Sequence, residues 1–171
     1  MAKDSVNQDV TVSLIEKVTL FAEVGKCAIS ESKSIHARIN FREGQIFSQF
    51  GAKEILDQPN YLTVQINQFQ HIMLDPEWLQ YINHSCDPNV FFDTKAQEVR
   101  VIKPIEIGEE VTFFYPSTEW SMSQAFKCLC KSENCINKIQ GASFLSPEIL
   151  SKYKLSDYIK GKIEADNLYD K

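Results

Sequence analysis

Three of the chain's five cysteines fall within eight residues, Cys128-Leu129-Cys130-Lys131-Ser132-Glu133-Asn134-Cys135, and this spacing constrains the fold more than any other feature. A tetrahedral zinc site takes four ligands, so three close thiolates are one short. Cys86 is the obvious fourth. Cys27 sits in an apolar, strand-like context and reads as a small buried hydrophobe. A closed four-thiolate site is structural, leaves no position for water, and would tie the C-terminal segment back to the turn around Cys86. A disulfide reading is weaker. Five is an odd number, thiols one residue apart bridge poorly, and the polar start Met1-Ala2-Lys3-Asp4-Ser5 lacks the apolar stretch of a secretion signal. Thiols at metal spacing imply a reducing, intracellular setting, cytoplasmic or nuclear.

Cys86 belongs to a second dense stretch, Tyr81-Ile82-Asn83-His84-Ser85-Cys86-Asp87-Pro88-Asn89. Asp-Pro followed by Asn reads as tightly turning chain. Polar groups this close to Tyr81, Ile82, Val90, Phe91 and Phe92 need partners if buried, because an unpaired buried polar group costs about 1–3 kcal/mol. The bland alternative is a well hydrogen-bonded turn between two core segments.

Together the two stretches are specific. The strings NHSCDPN (83–89) and GEEVTFFY (108–115), followed by the CxCxxxxC, resemble the SET-domain protein lysine methyltransferases with a post-SET zinc segment. The resemblance is firm from Tyr81 to Gly141 and looser from Ser30 to Leu79. It implies a mainly β fold of small curved sheets with a knot-like chain crossing and a short helical C-terminal tail. It divides the chain into N-terminal strands (1–29), the SET domain (30–116), the post-SET zinc segment (117–141) and the tail (142–171).

The resemblance also implies an activity, S-adenosylmethionine-dependent methyl transfer to a lysine amine in an aromatic channel. It makes Tyr115 the catalytic residue, and Lys33, Ser34, Ile35, Tyr81, Asn83, His84 and Tyr115 the cofactor-binding set. It places Phe113 and Phe50 along the substrate channel, with Phe113 favouring di- or trimethylation. One structural zinc ion falls to Cys86, Cys128, Cys130 and Cys135, and the partner is a lysine-containing protein or peptide. Three positions depart from the family pattern. Serines occupy the cofactor loop Ser32-Lys33-Ser34-Ile35-His36-Ala37 where glycines are usual, Gln80 stands for an arginine, and Phe50 stands for a tyrosine.

The chemistry fits this reading. Methyl transfer is a direct displacement, so alignment of donor, methyl and nitrogen does much of the work. Lysine must arrive as a neutral amine, and a dry aromatic channel lowers its pKa without a dedicated base. The Glu109-Glu110 pair reads as an exposed turn with no acid–base role. A net charge of −5 argues against a nucleic-acid partner, and no apolar run reaches the roughly 18 residues that cross a membrane. There is no glycine-rich G-x-G-x-x-G loop, so the cofactor site is not of the dinucleotide-binding type. Two other readings carry less support: a SET-like zinc-stabilised interaction module without catalysis, and a thiol redox protein built on Cys128 and Cys130.

The local pattern predicts strands in Val10–Val24, Lys33–Ile39, Gln45–Phe50, Tyr61–Ile66, Glu98–Lys103 and Val111–Tyr115. It predicts a helical turn at Ala52–Leu56 and a short Asp-capped helix at Asp75–Tyr81. Two helices follow, one capped by Ser146 with Pro147 after it, and one capped by Ser156 with Ile159, Ile163 and Leu168 on one face.

Overall fold

A computed structural model describes residues 12–27 and 31–169. The parts of the N-terminal segment at 1–11 and 28–30 lie outside it, as does the side chain of Leu168. Thirteen short strands among the described residues arrange in small sheets. In chain order they are β1 (Val12–Lys17), β2 (Ala22–Cys27), β3 (Lys33–Ala37), β4 (Ile46–Gln49), β5 (Gly51–Leu56), β6 (Val64–Asn67) and β7 (Gln70–Asp75). Then come β8 (Asn83–His84), β9 (Val90–Asp93), β10 (Glu98–Val101), β11 (Glu110–Phe113), β12 (Phe126–Lys127) and β13 (Lys138–Ile139). Two helices close the chain, α1 (Pro147–Leu150) and α2 (Asp157–Tyr169).

The largest sheet has the order β1-β2-β3-β11-β8. Its last pairing is parallel, Thr112 opposite Asn83 and Phe113 opposite His84, while its other pairs are antiparallel. This brings the Asn-His stretch beside the strand that leads to Tyr115. Two three-stranded sheets, β4-β10-β9 and β5-β7-β6, pack their apolar faces under it. The core between them includes Ile35, Leu79, Ile82, Phe92, Val99 and Val111, all essentially sealed from solvent. A smaller core forms where Phe114 meets Leu150, Leu155 and Ile159 of the tail.

Several expectations needed correction. Ala52–Leu56 is not a helical turn but part of β5, paired with β7 from Gly51↔Asp75 to Leu56↔His71. Ala, Lys, Glu and Leu favour helix locally, but the ladder offered by β7 overrides that preference. Asp75 is the last residue of β7 and caps nothing; Pro76 takes the cap position, and the helix that follows, Glu77–Tyr81, is 3-10. The strand leading to Tyr115 ends at Phe113, and Tyr115 opens a 3-10 turn of its own. The serine caps are as expected: Ser146 Oγ accepts from Ile149 N–H and Ser156 Oγ from Ile159 N–H, both at 3.3 Å.

One glycine fixes where the tail crosses the core. Gly141 has φ +121°, and a Cβ there would stand 2.5 Å from the carbonyl oxygen of Trp120. Only glycine allows so close an approach in that backbone conformation.

Candidate active site

The site is built outward from β8. Asn83 Nδ2 donates to the Lys33 carbonyl at 3.0 Å and to Glu110 Oε1 at 2.9 Å, which stitches β3, β8 and β11 together. Asn89 acts as a substitute strand: its Oδ1 accepts from Thr112 N–H and its Nδ2 donates to the Glu110 carbonyl. His84 Nδ1 accepts from the Tyr115 backbone N–H at 3.2 Å, so the ring proton sits on Nε2, which lies 3.3 Å from Cys86 Sγ. Burial pushes the His84 pKa down to about 4, which keeps the imidazole neutral.

A cavity of about 550 Å³ opens beside these residues. Asn83, His84, Phe113 and Tyr115 share its lining with Phe92 and, from β12, Phe126. The rings pack on one another: Phe92–Phe113 centroids are 4.5 Å apart, Phe113–Tyr115 4.7 Å and His84–Tyr115 5.3 Å. The Tyr115 hydroxyl donates to the Ile82 carbonyl at 3.3 Å. Burial, with Glu110 and Glu119 nearby, pushes its pKa up, so it remains a neutral phenol.

The other expected cofactor and channel residues lie off this lining. Ile35 is fully buried in the core, which leaves only its backbone to meet a ligand. Ser34 is buried with its hydroxyl 2.9 Å from His36 Nε2. Lys33 Nζ reaches the Tyr81 hydroxyl at 3.2 Å and lies over that ring. Phe50 packs behind Phe92 at 5.4 Å and does not line the cavity.

The sulfurs of Cys86, Cys128, Cys130 and Cys135 all lie within 4.8 Å of one another, with Cys86 and Cys128 at 3.9 Å. Zinc–sulfur bonds of ~2.3 Å give a tetrahedron with edges of about 3.8 Å, so the cluster could hold a metal ion of that kind. Burial works against the Cys130 thiolate, but N–H groups of Cys86 and Ser132 and the neighbouring thiols bring its pKa down to about 7. Burial pushes Cys86 up strongly and Cys128 up to about 11. The cluster packs against Tyr115, Met122 and Phe126. Tyr153 fastens it from behind, donating to the Cys86 carbonyl at 2.9 Å while its ring stacks on Phe114 at 3.6 Å.

Residues 10–116 match the SET-domain family. The chain belongs to that family. One relative is the methyltransferase flvH of Aspergillus flavus, 37% identical over 140 residues, which cover 81% of this chain and 78% of that protein. Another is the histone-lysine N-methyltransferase Set2 of Drosophila melanogaster, 41% identical over 68 residues, or 36% of this chain and 3% of that protein. The H3 lysine-36-specific histone-lysine N-methyltransferase of Saccharomyces cerevisiae is 26% identical over 103 residues, 57% of this chain and 14% of that protein. Among solved structures, the methyltransferase domain of human PR domain-containing protein 2 aligns over 64% of this chain and 93% of that one, at TM-score 0.43 and 21% identity.

Two acids of this SET domain escaped the sequence reading. Glu110 is not part of an exposed turn; it opens β11, receives Asn83 and lines the cavity. Glu119 is 6% exposed and also lines the cavity. Its Oε1 accepts from Gln65 N–H at 2.8 Å and from the Thr118 hydroxyl at 3.1 Å, and burial pushes its pKa up to about 7. The available signal was its place one helical turn after Tyr115, between Thr118 and Trp120. No helix among the described residues is long and apolar enough to cross a membrane.

Proposed function

We propose that this SET-domain protein is a protein lysine N-methyltransferase that uses S-adenosylmethionine. The observation that carries the reading is the single cavity on which Asn83, His84, Phe113 and Tyr115 converge. S-adenosylmethionine, when bound, supplies a methyl group on a positively charged sulfur. Asn83 and the β8 backbone hold the cofactor edge of the cavity, and the Tyr115 phenol, kept neutral by burial, orients the acceptor nitrogen. Phe92, Phe113 and Phe126 exclude water and favour the uncharged lysine amine. Aromatic walls also attract methylated ammonium, by roughly 0.5–2 kcal/mol each, which suits a di- or trimethylated product.

One zinc ion held by Cys86, Cys128, Cys130 and Cys135 would close the tail over the cavity. Histone-lysine methyltransferases among the relatives make a protein lysine the substrate of choice and a nuclear setting reasonable.

The test is transfer of labelled methyl groups to core histones and a lysine-peptide array. Transfer is expected with the wild type and should fall about a hundredfold or more with Tyr115→Phe, a loss of about 3 kcal/mol in the transition state. Full activity of that variant would refute the role of the phenol. Mass spectrometry of the product should find more than one methyl per lysine.

A further inference from the structure

The chemistry above leaves one buried acid on the cavity wall without a task. Glu119 is held rigidly: Oε1 is engaged by Gln65 and Thr118, and Gln65 Oε1 in turn accepts from Trp120 N–H at 2.9 Å. Oε2 accepts no hydrogen bond among the described residues, and Glu119 is one of the residues that line the cavity. Among the described residues no cation pairs with it. Lys127, on the same lining, is exposed, and His84 is neutral. The other lining acid, Glu110, gives Oε1 to Asn83 and is only half-buried, so water can complete it.

A buried carboxylate with spare acceptor capacity is costly unless a cation or donor completes it. The cavity that Glu119 lines is also walled by the apolar and aromatic side chains of Val64, Leu74, Phe92, Phe113 and Tyr115. Such a wall admits an alkyl chain, and a carboxylate set into it selects a chain that ends in a positive charge.

We propose that Glu119 Oε2 receives the ammonium of the substrate lysine as it enters the cavity, making Glu119 the residue that selects a cationic chain over a neutral one. The assignment rests on the methyl-transfer reading of the site. With its carboxyl titrating near neutrality, an arriving ammonium is what shifts Glu119 fully to its charged form.

The test uses the full chain with its metal, S-adenosylhomocysteine to fill the cofactor site, and two probes of one shape, n-butylammonium and 1-butanol. Loaded wild type should take n-butylammonium about tenfold more tightly than 1-butanol, the scale of one hydrogen bond to a charged group. Glu119→Gln keeps an acceptor for Gln65 and Thr118. It should hold S-adenosylhomocysteine as the wild type does and lose the tenfold preference. Glu119→Asp, still charged but drawn back, should keep part of it, and a complete loss there would overturn the proposal. Equal n-butylammonium binding by wild type and Glu119→Gln would also overturn it while leaving methyl transfer intact. Weaker S-adenosylhomocysteine binding by Glu119→Gln would assign the residue to the cofactor instead. Failure of the wild type to bind S-adenosylhomocysteine would bring down the methyl-transfer reading and this assignment with it.

Discussion

The two walls of the cavity are made differently. On one side, β9 and β11 bring Phe92 and Phe113 into contact, backed by Phe50 and the main core. On the other, Met122, Phe126 and Cys128 come from a segment whose only sheet is β12 and β13, two residues each. A hairpin that short does not stand alone in water. Its apolar cluster is small, and Leu129, between two of its cysteines, is left 78% exposed. Burial holds the first wall; sulfur must hold the second. One region can therefore be dismantled while the other remains, and experiments can probe how separate they are.

The largest effect expected is removal of the metal. A strong chelator should extract one equivalent of zinc and lower stability by several kcal/mol, because binding energy in such sites is folding energy. Hydrogen exchange should then quicken across 126–139 while β9 and β10 stay protected. Equal loss of protection on both sides would break the contrast.

Glu119 sits at the joint, accepting from β6 through Gln65 and following Tyr115 by one turn. Its folded pKa of about 7 lies above the ordinary carboxylate value of 4.5. Its contribution to stability is thus fully present below pH 4.5 and is lost as pH rises through 7, by as much as roughly 3 kcal/mol. Urea titrations at pH 5 and pH 8 should show this slope in the wild type and a flatter one in Glu119→Gln. The same slope in both proteins would remove Glu119 as its source.

The smallest effect belongs to Tyr153. Tyr153→Phe keeps the stack on Phe114 and loses the bond to the Cys86 carbonyl, for about 1 kcal/mol. The measurable sign is faster release of zinc to a chelator with little change in the unfolding of the main core. Unchanged release would mean that the tail does not steady the cluster.

Phe113 of the first wall and the cysteines of the second were legible in the sequence; Phe92, Met122 and Phe126 were not assigned to the site. The cysteine spacing pointed to the thiol cluster, and residues 83–89 and 108–115 carried the family before any coordinates were considered. Short-range signals did well where a residue's partner is near: Ser146 and Ser156 cap helices that begin right after them. They failed where the partner is distant. Ala52-Lys53-Glu54 has a helical composition, and only β7, some twenty residues on, makes it a strand. Glu119 looks like an ordinary surface acid until Gln65, 54 residues earlier in the chain, arrives to bury it. The family resemblance put Phe50 on the channel; Phe92 lies on the cavity lining and Phe50 packs behind it.

His84 links the two walls. One ring nitrogen receives the amide of Tyr115, and the other faces the sulfur of Cys86. An imidazole is a rigid spacer, so the backbone of Tyr115 and the thiol of Cys86 cannot drift apart by more than its two hydrogen bonds stretch. Damage to the sulfur cage, by oxidation or by exchange of its ion for one of another radius, would therefore register as a misaimed tyrosine before the protein visibly unfolds.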